Sequence, residues 1–545
     1  MSSINAAADS ATGTNPGPAS AWRNDTLVVA AALFAWFAAT AWMRPLTLPD
    51  EGRYVGVAWE MLRSGDWLTP TLDGLPFFHK PPLMYWLTAA AMALLGPHEW
   101  AARAAPLLGG WGGALALYLF LRRWWGVPRA RVAVLVLAVQ PIYSVAAQFA
   151  NLDMLVAGCI TGAVLCLAHA ALSIEQQLPY EQAPYKPALA GAYVLAALGV
   201  LAKGLIGAVI PALVVGAWLL ALGRWRLLPR LLWGPGVLLF AAVAGPWFVA
   251  MQVLHPGFLD YFFVVQHFKR FAGGGFNNVQ PFWFYPAVLL LFSLPWLPWL
   301  VLRLRLRLSL RRRLARRQQR ADPVQMPVQT QVQSQVQSLM LVWAAVVVVF
   351  FSLPASKLVG YVLPALPPLA CLMADGLASA WPRRAWFSVA VSVLAGLGFV
   401  VALCFHTPHS TRSLAVALAA RHKPAEPVFT LAFYPYDLPF YARLQTPTVV
   451  VDDWADAGIG GRDNWRKELA DAAGFSPAQA ATTLIGAAAL PARLCRAGVS
   501  WVLGAPADAA RWPFLAKAEL VFAGEATLWR VNSHTPSLAA ALGCP

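Results

Sequence analysis

Eleven long apolar runs follow one another along this chain, at residues 26–44, 104–121, 131–149, 154–172, 187–202, 204–221, 231–252, 284–303, 338–354, 358–377 and 385–405. A helix needs about 20 apolar residues to cross the roughly 30 Å hydrocarbon core of a bilayer. Inside that core every backbone polar group must be paired internally. Runs of this length therefore become helices, since strands of a closed barrel are about half as long. The pattern predicts an α-helical polytopic membrane protein of about 11–13 spans, the shorter runs leaving room for a hidden pair. Charged residues make up only 12% of the chain, about half the share of a soluble domain.

Basic loops set the orientation. Arg122, Arg123, Arg129 and Arg131 flank one loop, and Arg224, Arg226 and Arg230 flank another. The densest cluster runs through residues 303–320, and Arg383 with Arg384 marks a fourth. Loops rich in Arg and Lys remain cytoplasmic. The net charge of +16 thus reads as topology determinants, and nucleic-acid binding is not expected. All four loops share one side only if residues 82–96 do not cross. That segment has about 15 residues, too few to span comfortably, and reads as an interfacial helix on the outer side. Loops 45–103, 150–153, 253–283 and 354–357, the turn at Lys203 and everything after 405 then face outward.

The polar stretch 1–25 is expected in the cytoplasm. No A-x-A-like cleavage site follows the first run, which reads as a retained anchor. Residues 321–338, within a basic low-complexity cytoplasmic loop at 304–337, are expected to be disordered, though the Gln-Val alternation also suits an edge strand. Residues 406–545 differ: short β-type runs (PVFTLAF, PTVVVDD, VSWVLGA, AELVFA, TLWRV) alternate with helical stretches such as 477–490. They predict a small α/β domain outside the membrane, periplasmic in a Gram-negative cell. The chain has no CxxC motif and no zinc-type cysteine spacing. Cys495 and Cys544 both fall in the outer domain, where an oxidising compartment would allow a disulfide tying down the tail.

Six motifs carry charge to the outer face. Pro49-Asp50-Glu51-Gly52-Arg53-Tyr54 precedes a helical pattern (Tyr54, Val57, Ala58, Met61, Leu62) closed by Gly65. Its carboxylates sit at a helix N-terminus, as catalytic groups or as an ordinary acidic first turn. Phe77-Phe78-His79-Lys80-Pro81-Pro82 offers Lys80 as a phosphate contact or as a snorkelling interfacial lysine. Asn151-Leu152-Asp153 puts an acid between two apolar runs, where charge is costly and usually functional. Lys203-Gly204 interrupts another apolar run. Gln266-His267-Phe268-Lys269-Arg270-Phe271 and Ala355-Ser356-Lys357-Leu358 with Tyr361 complete the set. Asp50, Glu51, Asp153, Lys80, Lys203, Arg270 and Lys357 are thereby placed on one membrane face. Cations there suit a lipid phosphate leaving group, and a carboxylate suits orientation or deprotonation of an acceptor. No P-loop or GxGxxG pattern offers a nucleotide cradle.

DEGRY, HKPPLMYW, the NLD turn, LAKG, QHFKRF with PFWFY, and FSLPASKLVGYVLPALPPLA occur in this order over residues 26–405. Together they resemble the bacterial lipid A aminoarabinose transferases and their relatives in the GT-C, protein O-mannosyltransferase-like superfamily. The resemblance implies a GT-C catalytic domain at 26–405 in the bacterial inner membrane. It implies an undecaprenyl-phosphate-linked sugar donor, inversion at the anomeric carbon, and a lipid A or other outer-face acceptor. Asp50 matches the catalytic carboxylate and Asp153 the second motif acid. Arg53 follows from the first-loop motif, and Lys80, Lys203, Arg270 and Tyr361 match the surroundings of the lipid phosphate. No cofactor is required. Family members can hold a metal such as zinc near an acidic residue and a histidine. Here the family's Tyr-x-Glu-Lys-Pro reads Phe77-Phe78-His79-Lys80-Pro81, so His79 and His267 are the metal candidates. This departure bears on sugar identity. Transfer to a protein hydroxyl or another glycolipid is the nearest alternative. A lipid-linked sugar flippase would predict inverted repeats and helices broken at mid-membrane, and an assembly subunit would predict no catalytic acid.

Overall fold

The computed structural model describes residues 18–177, 185–269, 278–301, 328–375, 377, 383–405 and 410–545. Each expected apolar run is mostly helical among the described residues, although the first helix, Pro18–Ala38, ends before the last six residues of its run, which are turns and bends. Among the described residues six helices are long and apolar enough to cross a membrane, or up to seven if the bent pair Phe284–Phe292 and Leu294–Val301 forms one span. Ile206–Ala221, Val359–Ala374 and Leu83–Leu95 are shorter apolar helices. The last is 13 residues, about 20 Å at 1.5 Å per residue, which is short of a bilayer. The chain is a multi-pass membrane protein with a sheet-bearing region at its C-terminal end.

Small residues set the helix packing. A Cβ at Gly109 would stand 2.6 Å from Leu155 Cα, and one at Gly158 would collide with the Gly109 carbonyl. The helices Ala104–Trp124 and Leu152–Glu175 therefore meet backbone to backbone, the usual contact in a membrane where apolar burial alone gives no driving force.

Two expectations are corrected. Residues 328–338 are not a disordered linker, because they open the helix Val328–Ser352. Val332, Val336, Leu339, Met340 and Trp343 are buried at helical spacing, so the Gln-Val pattern continues the apolar face of the span behind it. Residues 303–320 and 321–327 lie outside the described residues. Residues 477–490 do not form one helix either. Pro477–Thr483 is helical, but Leu484 and Ile485 pair with Val450 and Val451 as a strand.

Beyond residue 410 the strands are β3 (Val428–Leu431), β4 (Val449–Val451), β5 (Leu484–Ile485), β6 (Val499–Gly504), β7 (Glu519–Phe522) and β8 (Thr527–Asn532), after a small hairpin of β1 (Thr71–Leu72) and β2 (Leu75–Pro76) in the first loop. The sheet order is β5-β4-β3-β6-β8-β7. The first four strands are parallel, and β8 and β7 are antiparallel. Alternate residues face opposite sides. Phe429, Leu431, Val502 and Val531 pack on Leu490, Leu494 and Leu538, while Val428, Trp501, Leu503 and Leu528 pack on Leu414, Leu418 and Leu438. Cys495 and Cys544 form a disulfide with Cα atoms 5.5 Å apart.

This region packs on the loop after the first helix. Tyr434, Tyr436, Phe440 and Leu469 share one core with Tyr54, Phe77 and Tyr85. Leu46 N donates to Tyr441 Oη at 2.8 Å, and Trp59 Nε1 donates to the Leu444 carbonyl at 3.1 Å. The Thr448 amide and hydroxyl donate to Asp73 Oδ1 at 2.8 and 2.9 Å.

Candidate active site

The DEGRY segment forms the helix Asp50–Ser64, closed by Gly65 at φ 74, as its apolar spacing predicts. Arg53, one turn in, donates to Asp50 Oδ1 at 2.5 Å and to Glu468 Oε1 from its other terminal nitrogen. Its guanidinium lies 5.1 Å from the Tyr54 ring centroid and 5.9 Å from that of Tyr436. Tyr436 Oη donates to Glu468 Oε2 at 2.7 Å. Arg53 is therefore clamped between the loop after the first helix and the C-terminal region. The Asp50 side chain stays 36% exposed, so this carboxylate is oriented yet open to a substrate.

Glu51 is different, and the expectation of a catalytic role is corrected. It is fully buried. Arg103 Nε donates to it at 2.8 Å and Arg44 Nη2 at 3.1 Å, and the amides of Thr47 and Ala150 each donate at 2.8 Å. Burial alone would raise its pKa, but Arg103 and Arg44 outweigh burial and hold it well below the usual carboxylate range. With its lone pairs engaged, it joins the start of the helix Asp50–Ser64 to the turn at Ala150-Asn151.

That turn carries the second acid. Asn151 caps the helix Leu152–Glu175 by accepting from Asp153 N at 3.1 Å. Asp153 is buried and ion-paired with Lys203, the last residue of the helix Tyr185–Lys203. Lys203 Nζ also lies 4.2 Å from the Tyr361 ring centroid. The approach needs Gly360, where a Cβ would collide with Asp153 Oδ2. Burial pushes the Tyr54 phenol up, and Tyr361 adds in the same sense. The hydrogen bond from Ala150 N to Glu51 joins the start of the helix Asp50–Ser64, which carries Asp50 and Arg53, to the turn that carries Asp153 and so to the Asp153–Lys203 pair.

Lys357 does not join this cluster as a substrate cation. It is buried, with Nζ donating to the carbonyls of Gln280 at 2.9 Å and Pro354 at 2.5 Å. Those bonds tie the 354–357 turn to the strand-like pairing of Val279 with Ser356. Lys80 is half-buried between β2 and the helix Leu83–Leu95. Arg270 and the side chain of His267 lie outside the described residues. His79 is buried, stacked on Phe77 at 4.6 Å, with Nε2 3.8 Å from Asp471 Oδ2. Asp471 Oδ2 also accepts from Tyr261 Oη at 3.0 Å. Among the described residues no group of three or more His, Cys, Asp or Glu side chains converges, whereas a zinc site takes three or four ligands.

Glu468, Tyr436, Asp471, Arg44 and Arg103 were not singled out by the sequence. Arg44 and Arg103 flank the expected outer loop 45–103, and two arginines at the outer ends of spans run against the positive-inside pattern. That conflict was the available signal. Glu468 and Tyr436 carry none, since their function depends on docking across more than 380 residues.

An exposed carboxylate held by arginine, and a lysine paired with a buried aspartate against a tyrosine ring, sit at the ends of helices. The structure superposes on the crystal structure of ArnT from Cupriavidus metallidurans bound to undecaprenyl phosphate with a TM-score of 0.74 and 24% identity, covering 95% of this chain and 99% of that one. The family model described as dolichyl-phosphate-mannose-protein mannosyltransferase matches residues 79–249. The undecaprenyl phosphate-α-4-amino-4-deoxy-L-arabinose arabinosyl transferase of Shewanella sediminis is 31% identical over 63% of this chain and 58% of its own length. That of Edwardsiella ictaluri is 32% identical over 66% of this chain and 61% of its own. The chain thus spans about three fifths of the length of these curated relatives. In both sequence and fold the chain is similar to the aminoarabinose transferases, as the ordered motifs imply.

Proposed function

We propose that this chain is an inner-membrane glycosyltransferase that moves an amino sugar from undecaprenyl phosphate to a lipid A phosphate on the outer face. The carrying observation is that one turn, bonded to the helix start through Glu51 and Ala150, links an exposed carboxylate held by Arg53 to the Asp153–Lys203 pair at the ends of two apolar helices. The likeness to a structure holding undecaprenyl phosphate supports the donor.

In this reading Lys203, with Lys80 and Arg270 as further phosphate contacts, faces the donor phosphate. Asp50 orients the acceptor oxygen, or takes its proton when the acceptor is a hydroxyl. That oxygen forms a bond to the anomeric carbon from the face opposite the phosphate. The bond from this carbon to the phosphate oxygen breaks, and its electron pair leaves with undecaprenyl phosphate. Lys203 stabilises the negative charge gained there. Asp153 fixes the Lys203 ammonium in place before the donor arrives. Residues 1–25 and the basic loop lie in the cytoplasm and residues 406–545 in the periplasm.

Mass spectrometry of lipid A from cells with and without the protein tests the reading. An added amino-pentose mass that depends on the protein is expected, and identical lipid A spectra would refute this acceptor. The mannosyltransferase description of the matching family model favours a second reading, with a protein hydroxyl as acceptor. It would appear as a protein-linked hexose in the same pair of strains. Reporter fusions at Gln319 and Ala480 test the topology. Opposite sides are expected, and the same side would remove the outer-face site.

A further inference from the structure

In its parallel part the sheet has the order β5-β4-β3-β6. The chain leaves β3 for β4 and β5 on one side, then returns to place β6 on the other. In open parallel sheets ligands settle outside the carboxyl ends of strands where the order reverses in this way. A cavity of about 460 Å³ lies there, within the usual size of small-molecule sites. Phe433 and Tyr434 line it after β3, Asp508 after β6, and Glu525 in the β7–β8 turn. The lining also includes Pro49, the residue before Asp50, and Tyr436, whose hydroxyl bonds Glu468. The crevice thus adjoins the network that holds Arg53.

Its chemistry is selective. Among the described residues lining it there is no Lys or Arg, in a chain of net charge +16. A phosphate would meet two carboxylates and no cation, which is unfavourable. Carboxylates accept hydrogen bonds from hydroxyls, and an aromatic face covers the apolar C–H side of a sugar ring. Asp508 Oδ2 accepts from Ala505 N at 2.7 Å, which fixes that carboxylate at the cavity edge.

We propose that this crevice is a saccharide subsite: it holds a neutral, hydroxyl-rich sugar ring of the acceptor beside Pro49 and directs the acceptor's reacting group past it toward Asp50. This rests on the transferase reading for its place in the reaction, but not for the binding itself. The acceptor is accordingly a glycan-bearing lipid and not a bare phosphate, and the cations near Lys203 are left to the donor.

Two variants of the full-length protein in detergent test it. Ala505→Trp fills the crevice from an exposed position, and Glu525→Gln removes one acceptor charge. Binding of N,N′-diacetylchitobiose, followed by saturation-transfer NMR, needs no donor. Expected are saturation of the wild type and at least tenfold weaker binding in both variants, with unchanged thermal midpoints. In steady-state transfer to purified lipid A, the acceptor KM rises about tenfold while the donor KM and kcat stay within twofold. Undiminished chitobiose binding in both folded variants, or donor and acceptor KM rising together, overturns the subsite. Chitobiose binding that is lost in the variants of a wild type without transfer activity supports the subsite and rejects the transferase reading instead.

Discussion

Arg53 reaches back one helical turn to hold Asp50 at 2.5 Å, while its other terminal nitrogen is held by Glu468. The carboxylate at the helix start is thereby aimed by a residue more than 400 positions away. An amide at position 50 would keep the shape but accept a proton or orient a nucleophile poorly. Asp50→Asn is expected to lower kcat by about 10²–10⁴, with little loss of stability because the group is partly exposed. Turnover and thermal midpoint of the purified variant check this. Near-normal turnover would sink the assignment.

Gly360 permits the approach of Asp153 to Tyr361 and Lys203. Gly360→Ala drives a methyl group into the Asp153 carboxylate and should displace Lys203 from the donor phosphate. The donor KM is expected to rise at least tenfold. Gly398→Ala, with open space around it, serves as the control and should leave KM unchanged. Equal behaviour of the two would show that the cluster does not touch the donor.

Glu51 separates two roles that its sequence position leaves undivided. Glu51→Gln leaves the buried guanidiniums of Arg44 and Arg103 without their counter-charge, at a cost of about 3–5 kcal/mol. The expected result is poor recovery of folded protein and a lowered thermal midpoint, not a stable inactive enzyme. A well-folded Glu51→Gln variant without activity would restore Glu51 as a catalytic candidate.

Asp73 makes docking of the C-terminal region sensitive to pH. Burial, with Glu60 adding to it, raises its carboxyl from 3.8 to about 8. Asp437 is raised by burial to about 6. Between about pH 4 and 8 the folded protein therefore holds protons that the unfolded chain has lost, so stability falls as pH rises through this window. Thermal midpoints across the range should decline, and Asp73→Asn should flatten the decline, since an amide still accepts from Thr448. A midpoint rising from pH 5 to 8, or an identical slope in the variant, would contradict this.

The disulfide closes a loop of 49 residues and ties the last turn to the helix Leu490–Ala497. Removing it frees the unfolded tail and should cost roughly 2–4 kcal/mol. Cys495→Ser and Cys544→Ser are each expected to lower the midpoint of the C-terminal region, read by limited proteolysis, without changing the donor KM. A parallel loss of donor affinity would mean that the bond supports the site itself.

Much of the architecture was readable from residue order alone. Apolar run length dictates spans because hydrocarbon leaves the backbone no other partner. The periodicity from Tyr54 to Leu62 and the glycine after it dictate the helix Asp50–Ser64 because both are local properties. Asp153 and Lys203 were marked by position, since charge between apolar runs is costly and seldom idle, whereas Asp50 and Tyr361 were marked by the ordered motifs they belong to. Tertiary structure decided what each charge does. Asp50 and Glu51 are adjacent carboxylates at one helix start, indistinguishable by type or spacing. One is left open beside Arg53, and the other is enclosed by Arg44 and Arg103. Lys203 and Lys357 both end apolar runs, yet one meets a carboxylate and an aromatic ring while the other is spent on carbonyls. A charge acts through the partners within a few ångströms of it, and those partners come from chain segments that only folding brings together.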